Sequence, residues 1–180
     1  MKKIILVDGN NLLFRSFYAT AYQGVIMKNS KGFPTNALYG FINMMNKIIK
    51  EESPSYIVVA FDKGKTFRHD KYEDYKAGRQ AMPDELKMQF PEAKKVLETM
   101  GIKHFEFDNY EADDIIGTLA KRVDEEDEFI ATIVSSDKDL LQLISDEVVV
   151  KLLKQNDHIM MDKNEFRNTY QVDPIHMIEL

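Results

Sequence analysis

The sequence predicts an α/β fold in which helices flank a mostly parallel central sheet. Short, apolar, β-branched runs are typical of buried parallel strands, and they occur at Ile4–Val7, Tyr56–Phe61 and Ile130–Val134. Segments with the apolar period of a helix lie between these runs, and an alternation of strands and helices is typical of parallel sheets. A chain of 180 residues is long enough for one domain of this kind with its own core.

The remaining strands follow from weaker patterns. His104–Phe107 is a further strand candidate, because it is short and rich in aromatic residues. Val148–Leu153 and His158–Met161 flank the turn-forming residues 155–157, so this region is predicted to form a hairpin.

The helices are predicted from apolar spacing. One apolar face comprises Leu38, Phe41, Ile42, Met45 and Ile49, and another comprises Ile115, Ile116, Leu119 and Val123. Pro91 suits the first turn of a helix that ends at Gly101, with Ala93, Val96, Leu97 and Met100 on its core face. Lys163–Tyr170 is predicted to form a further helix, and a helix is expected to start at Pro174. Residues 63–83 have weak apolar periodicity and many charges, which predicts a long loop or a mobile helical arch.

Composition excludes several classes of protein. No apolar run approaches the roughly 18–20 residues that a membrane-spanning helix needs. The apolar run near the N-terminus stops after Val7, which favours a strand over a signal peptide. The sequence has no Cys, which excludes disulfides, a thiol nucleophile and Cys-ligated metal sites. We therefore expect a cytoplasmic enzyme or binding domain.

The charges are unevenly distributed along the chain. The net charge is −6, yet the first 79 residues sum to +6 and the remainder to −12. An uneven but merely solvated surface is one interpretation. The other is a cationic face for a polyanion beside an acidic metal pocket, since the local field decides whether phosphates bind.

Seven acidic residues are predicted to converge on one edge of the sheet. Asp8, Asp62 and Asp137 each follow a predicted strand, and ligands of open α/β sheets bind beyond the carboxyl ends of the strands. The other acids of this group stand at the start of a predicted helix or two residues after Asp137: Glu111, Asp113, Asp114 and Asp139.

Each acid alone has a simpler explanation, because carboxylates commonly cap helices and begin turns. Their convergence is not explained in that way, because neighbouring carboxylates repel and raise one another's pKa. An oxygen-only ligand set suits Mg²⁺ or Mn²⁺, and such clusters commonly hold two ions about 3.5–4 Å apart for phosphoryl chemistry. The sequence lacks the glycine-rich motifs of nucleotide cofactor sites, and its four His residues are scattered.

A basic and aromatic segment follows Asp62. Cations can contact phosphates and aromatic rings can stack on unpaired bases. The residues of this segment are Lys63, Lys65, Phe67, Arg68, Lys71, Tyr72, Tyr75, Lys76 and Arg79. Arg15 lies about two helical turns after Asp8 and is either a phosphate contact or an ordinary surface residue.

These motifs, in this order, resemble the 5′-nuclease domain at the N-terminus of bacterial DNA polymerase I and the related stand-alone bacterial 5′–3′ exonucleases, members of the flap endonuclease family with a PIN-like (resolvase-like) three-layer fold. The matching stretches are Leu6–Arg15, Phe33–Phe41, Phe61–Arg68, Tyr75–Arg79, Tyr110–Ala120 and Ser136–Leu140. The resemblance implies metal-dependent hydrolysis of phosphodiester bonds in DNA with 5′ ends or flaps, during replication and repair.

The resemblance also implies roles for individual residues. The seven acids would form the metal site, with one ion near Asp8, Asp62, Glu111 and Asp113, the other near Asp137 and Asp139, and Asp114 serving either. The residues Arg15, Tyr75, Lys76 and Arg79 would contact DNA. The basic and aromatic pattern adds Arg68 and Tyr72 to the predicted DNA contacts. Lys76 and Arg79 would act catalytically by stabilising charge on the phosphate, from an arch over the site.

In that family the chain continues with a helix-hairpin-helix DNA-binding part and two further metal-binding Asp residues. The sequence ends before them, so residues 1–180 are expected to be the N-terminal catalytic domain alone. We also expect a monomer, with a polymerase domain as a further candidate in the natural chain. Two alternatives stay open: a catalytically incomplete DNA-binding fragment, and a PIN-type ribonuclease with the same core.

Overall fold

Six strands form one sheet in the order β3-β2-β1-β4-β5-β6. The computed structural model describes residues 1–21, 24–64, 81–155 and 157–179. The strands are β1 (Lys2–Asp8), β2 (Tyr56–Ala60), β3 (Lys103–Phe105), β4 (Phe129–Ser135), β5 (Val148–Leu153) and β6 (His158–Met161). The five strands β1 to β5 pair in parallel, and β6 pairs antiparallel with β5. The predicted mostly parallel sheet and the predicted hairpin are both confirmed.

The helices connect the parallel strands. They are α1 (Gly9–Thr20), α2 (Asn36–Glu52), α3 (Asp84–Lys87), α4 (Gln89–Thr99), α5 (Ala112–Glu125) and α6 (Lys163–Tyr170). Two 3₁₀ segments, Lys138–Leu143 and Pro174–Glu179, complete the described elements. Helix α6 has the predicted bounds. Among the described residues no helix combines the length and the apolar character needed to cross a bilayer.

Several predicted boundaries were wrong by a few residues. Strand β2 ends at Ala60, so Phe61 lies beyond it, and β3 covers Lys103–Phe105 instead of continuing to Phe107. Helix α4 begins two residues before Pro91, which still lies in the first turn, where its missing N–H has no partner to lose. Residues 65–80 of the predicted 63–83 arch lie outside the described part of the chain. Helix α3 begins at Asp84, directly after the end of the predicted arch.

Two hydrophobic clusters, one on each side of the sheet, make the fold three-layered. Alternate residues of β1 point to opposite faces, so Ile5 and Val7 join one cluster and Leu6 the other. The first cluster packs α1, α2 and α4 on the sheet, with Phe41, Met45 and Ile48 of α2 buried in it. The second cluster packs α5, the Lys138–Leu143 segment and α6 on the opposite face.

The helix α4 returns to the sheet through a tight turn. Gly101 has a φ of +72°, a left-handed conformation that favours glycine. The N–H of Gly101 donates to the carbonyl of Glu98, and the N–H of Ile102 donates to that of Leu97. These two bonds form a Schellman motif, which confirms that the helix ends at the predicted glycine.

Candidate metal centre

The acids that follow three neighbouring strands lie at one edge of the sheet. Strand β1 pairs with β2 on one side and with β4 on the other, and all three run in the same direction. Asp8 is the last residue of β1, whereas Asp62 and Asp137 each follow their strand by two residues. The parallel order therefore brings the three carboxyl ends side by side, as predicted from their positions in the sequence.

Asp8 is the most buried acid of the site, with 5% of its surface exposed. Its Oδ1 accepts a hydrogen bond from the backbone N–H of Asn11 (2.9 Å), which caps α1, and its Oδ2 accepts one from the Ser135 hydroxyl (3.0 Å). Burial raises the pKa of Asp8 to about 6; the carboxylates of Asp62 and Asp137 add to the rise, and the two hydrogen bonds oppose it.

Asp62 is held by groups from two other segments. The Asn10 side-chain NH₂ donates to Asp62 Oδ2 (3.0 Å), and the backbone N–H of Ala112, in the first turn of α5, donates to Oδ1 (2.7 Å). The backbone N–H of Asp62 in turn donates to the Asn10 side-chain oxygen (3.0 Å). Both carboxylate oxygens therefore have fixed partners.

The N-terminus of α5 carries three more acids. Glu111 is buried, and its backbone N–H donates to Asp114 Oδ2 at 2.9 Å. Asp113 lies between them along the chain. Burial, followed by the carboxylates of Asp8, Asp137, Asp62 and Glu111, raises the pKa of Asp113 to about 7. Asp113 is therefore close enough to four other acids to be affected by their charges.

Asp137 and Asp139 belong to the turn after β4. The backbone N–H of Asp137 donates to the Ser135 hydroxyl (3.1 Å), and Asp137 Oδ1 accepts from the backbone N–H of Asp139 (2.9 Å). Asp139 is exposed and lines an open groove between α5 and the Lys138–Leu143 segment, together with Glu111, Asp113 and Asp114. Asp139 thus shares a surface with the acids of α5.

The carboxylate oxygens of these acids are chemically suited to bind a hard divalent cation. The oxygen-only character of this set suits Mg²⁺ or Mn²⁺. Burial, with the neighbouring carboxylates adding to it, raises the pKa of Asp8 and of Asp113, and a nearby cation would favour their charged forms. Within the described part of the chain, no three Asp, Glu or His side chains are already arranged around a common point as metal ligands.

Arg15, the one predicted DNA contact within the described residues, is not part of this acidic group. Arg15 is half-buried and lines a separate cavity between α1, α2 and the β5–β6 hairpin, which Glu51, Lys151 and His158 also line. The other predicted contacts lie outside the described residues, and so do the two predicted catalytic cations: Arg68, Tyr72, Tyr75, Lys76 and Arg79.

Three residues of the site were not predicted to act there: Asn10, Asn11 and Ser135. Each hydrogen-bonds with one of the strand-end acids. A signal was present in the sequence, because two consecutive asparagines directly after a strand-end Asp are unfavourable inside a helix. Their partners could not be identified, since Ser135 lies 127 positions from Asp8.

Comparison with known proteins places these observations in a family. Residues 3–171 match the family model described as 5′–3′ exonuclease, N-terminal resolvase-like domain. The DNA polymerase I of Geobacillus stearothermophilus is 48% identical over 154 residues, which cover 85% of this chain and 17% of that protein. A 5′–3′ exonuclease of Aquifex aeolicus is 42% identical over 175 residues, which cover 97% of this chain and 58% of that protein. The chain therefore spans less than two thirds of these relatives.

A solved structure shows the same fold. The T5 5′-exonuclease with divalent zinc ions bound superimposes with a TM-score of 0.73 at 24% identity, covering 99% of this chain and 65% of that one. At this level of identity the likeness concerns the fold, and it confirms the expected three-layer PIN-like architecture.

Proposed function

The chain belongs to the 5′–3′ exonuclease family, as its N-terminal resolvase-like domain, and on this premise we propose that it is a metal-dependent 5′–3′ exonuclease and 5′-flap endonuclease acting on DNA. Its reaction would be hydrolysis of phosphodiester bonds near a 5′ end.

The observation that carries the proposal is the convergence of carboxylates on Asp113. Burial, followed by four acids of which three come from other segments of the chain, raises its pKa to about 7. Such an arrangement destabilises a fold that binds no cation, and capping of α5 does not require it, since Asp114 already bonds the Glu111 N–H. A role in binding a cation accounts for all of these acids at once.

The proposed metal ligands are the seven predicted acids: Asp8, Asp62, Glu111, Asp113, Asp114, Asp137 and Asp139. A divalent cation, when bound, supplies positive charge for the phosphate and lowers the pKa of water. The carboxylates would bind the cation, and neighbouring groups orient them. Asp8 and Asp62 are held by Ser135, by Asn10 and by backbone N–H groups. We propose Mg²⁺ or Mn²⁺, with two ions in the complete enzyme.

Contacts with DNA belong to this proposal as predictions. They are assigned to Arg15, Arg68, Tyr72, Tyr75, Lys76 and Arg79, with charge stabilisation by Lys76 and Arg79 in the transition state. The support is their residue types and their spacing after Asp62. A polymerase domain in the same natural chain is supported by the polymerase relatives. The monomeric state, the cytoplasmic location and a helix-hairpin-helix part beyond residue 180 stay predictions.

The test is cleavage of a 5′-labelled DNA flap by the 180-residue chain with Mg²⁺ or Mn²⁺, with EDTA as a control. We expect metal-dependent release of the labelled flap, and loss of at least about a hundredfold in rate in the Asp113→Asn variant, because a ligand of the reacting centre is removed. Cutting that persists in EDTA or in Asp113→Asn contradicts the proposal.

The same assay separates the alternatives. A matched RNA strand is included: cutting of the RNA but not of the DNA flap would favour the PIN-type ribonuclease. Salt-sensitive binding of the flap without cutting would favour the incomplete DNA-binding fragment.

A further inference from the structure

Two consecutive asparagines at the start of α1 reach the strands on either side of β1. Asn10 points to β2: its side-chain oxygen accepts from the Asp62 N–H (3.0 Å), and its NH₂ donates to Asp62 Oδ2 (3.0 Å). A single amide therefore binds both the backbone and the carboxylate of Asp62. An amide side chain offers both a donor and an acceptor without adding charge.

The second oxygen of Asp62 is fixed from a different element. The Ala112 N–H donates to Oδ1 at 2.7 Å, so Asp62 is held between α1 and the N-terminus of α5. Because both oxygens are held, rotation of the carboxylate about its last bond would break both hydrogen bonds. Asn10 thus determines where Asp62 directs its remaining lone pairs.

Asn11 forms the corresponding link to β4. Its side-chain oxygen accepts from the backbone N–H (2.9 Å) and the hydroxyl (2.8 Å) of Ser136, the residue directly before Asp137. Its backbone N–H donates to Asp8 Oδ1 at 2.9 Å. Asn11 therefore joins the Asp8 carboxylate to the turn that carries Asp137.

Local helix stability does not explain these two residues. Asp8 already caps α1, and Asn is a weak helix former inside a helix. An acidic residue in the first turn would favour the helix dipole, yet that turn contains none. The hydrogen bonds to neighbouring strands are what the asparagines contribute.

We propose that Asn10 and Asn11 are positioning residues that fix the spacing of the Asp62, Asp8 and Asp137 carboxylates before a cation binds. The proposal rests on the metal-dependent function proposed above. Neutral amides suit this role because a Lys or Arg in the same place would compete with the cation for the carboxylates. Outer residues that orient metal ligands typically change metal affinity about 10–100-fold when they are removed.

The first experiment is amide hydrogen exchange in EDTA, measured by NMR. The readout is the Ala112 N–H, which donates its hydrogen bond to Asp62. In Asn10→Ala we expect its exchange to accelerate at least about tenfold, because the carboxylate that holds it is released. Asn11→Ala is expected to leave Ala112 at the wild-type rate. Asn29→Ala is the matched control, since Asn29 also accepts two backbone hydrogen bonds, in an exposed turn.

The second experiment is titration of the same proteins with Mn²⁺ by calorimetry. We expect Asn10→Ala and Asn11→Ala to bind about 10–100-fold more weakly than wild type, and Asn29→Ala to bind as wild type. If Asn10→Ala does not fold, Asn10→Ser is used in its place, because it retains a short hydroxyl. Its Mn²⁺ affinity is expected to lie between that of wild type and the affinity expected for Asn10→Ala. A merely structural role would lower the unfolding temperature and leave the Mn²⁺ affinity of the folded protein unchanged.

The outcomes separate this proposal from the proposed function. Wild-type Mn²⁺ affinity in folded Asn10→Ala and Asn11→Ala overturns the positioning role, and so does an unchanged Ala112 exchange rate in Asn10→Ala. If the wild-type chain itself binds no Mn²⁺, the metal-dependent function fails. The exchange rate of Ala112 then decides alone whether Asn10 holds Asp62.

Discussion

Asp113 is a carboxylate whose charged form the fold of the metal-free protein disfavours. Burial and four neighbouring acids raise its pKa to about 7, well above the value of 3.8 for a free Asp. A raised pKa in the folded state means that the charged form destabilises the fold. For Asp113 alone, this unfavourable contribution is absent below about pH 4, grows as the pH rises toward 7, and keeps its full size above it.

Replacing Asp113 by Asn is expected to stabilise the protein in EDTA at pH 8. The neutral amide removes a charge that is unfavourable there, and we expect a gain on the order of 2 kcal/mol. This gain is smaller than the whole rise of the pKa would give at 1.36 kcal/mol per pKa unit, because Asp113 is partly exposed to water. At pH 4 the gain should approach zero. Urea unfolding at the two pH values measures it.

The control for this prediction is Asp127→Asn, a substitution of an exposed turn residue, which should leave the free energy of unfolding within about 0.5 kcal/mol of wild type. A loss of stability in Asp113→Asn at pH 8 would show that Asp113 makes favourable interactions in the metal-free protein.

At the residue scale the sequence predicted the acids but not the groups that hold them. Asp8, Asp62 and Asp137 were identifiable because each follows an apolar run, and parallel strands end at one edge. The bonds of Asn11 to Ser136 join residues 125 positions apart, so they depend on a strand order that no local pattern reveals. The same holds for Arg15, whose position on a helix did not indicate which cavity it lines.

Among the elements, α1 and α2 pack closely at a single glycine. A Cβ atom added to Gly40 would lie 2.8 Å from the Cβ of Ser16 and 3.3 Å from its Cα, which is closer than packed atoms approach. Gly40 is therefore required for the distance between these helices, and α1 carries Asn10 and Asn11 at its start.

Gly40→Ala is expected to reduce the free energy of unfolding by about 1–3 kcal/mol, because the two helices must separate. Gly117→Ala in α5 is the matched comparison: its Cβ would meet Leu143 at an ordinary 3.7 Å. That variant should gain up to about 1 kcal/mol, since Ala is the better helix former. Denaturant unfolding of both proteins tests the pair, and an equal effect of the two substitutions would contradict this account of the α1–α2 contact.

Element types were more predictable than element ends. Strand β3 contains three residues, because it pairs only with β2, so the aromatic pattern through Phe107 overestimated its length. The α2 face was predicted to include Ile49, which is partly buried and packs against the first cluster. Ile48, which was not predicted, is fully buried on the same helix.

At the scale of the whole molecule, a buried ion-pair network ties α2 to the sheet. Lys151 of β5 has 4% of its side chain exposed and donates to Glu51 and Glu52 at 2.8 Å each. Glu52 also accepts from Lys3 of β1. Burial lowers the pKa of Lys151, but the hydrogen bonds and charges of both acids outweigh it and raise the pKa above its usual value. Lys151 therefore stays charged.

Lys151→Ala is expected to destabilise the protein by about 2–3 kcal/mol, because Glu52 loses one of its two cations in a buried position. The effect should be smaller than for a fully isolated charge, since Lys3 remains. Lys47→Ala is the matched control: Lys47 pairs with Glu51 at 3.8 Å on an exposed helix face and should contribute less than about 0.5 kcal/mol. Similar losses of unfolding free energy in both variants would contradict the claim that burial makes the ion pairs of Lys151 more stabilising than the exposed pair of Lys47.

Calorimetric titration of the whole chain with Mn²⁺ at pH 7.5, for wild type, Asp113→Asn and the Asp127→Asn control, decides whether the carboxylates around Asp113 bind a metal ion. We expect saturable binding by wild type and the control, and an affinity at least about tenfold weaker in Asp113→Asn. Equal affinity in all three proteins, or no binding by any of them, would show that the converging carboxylates are not a metal centre.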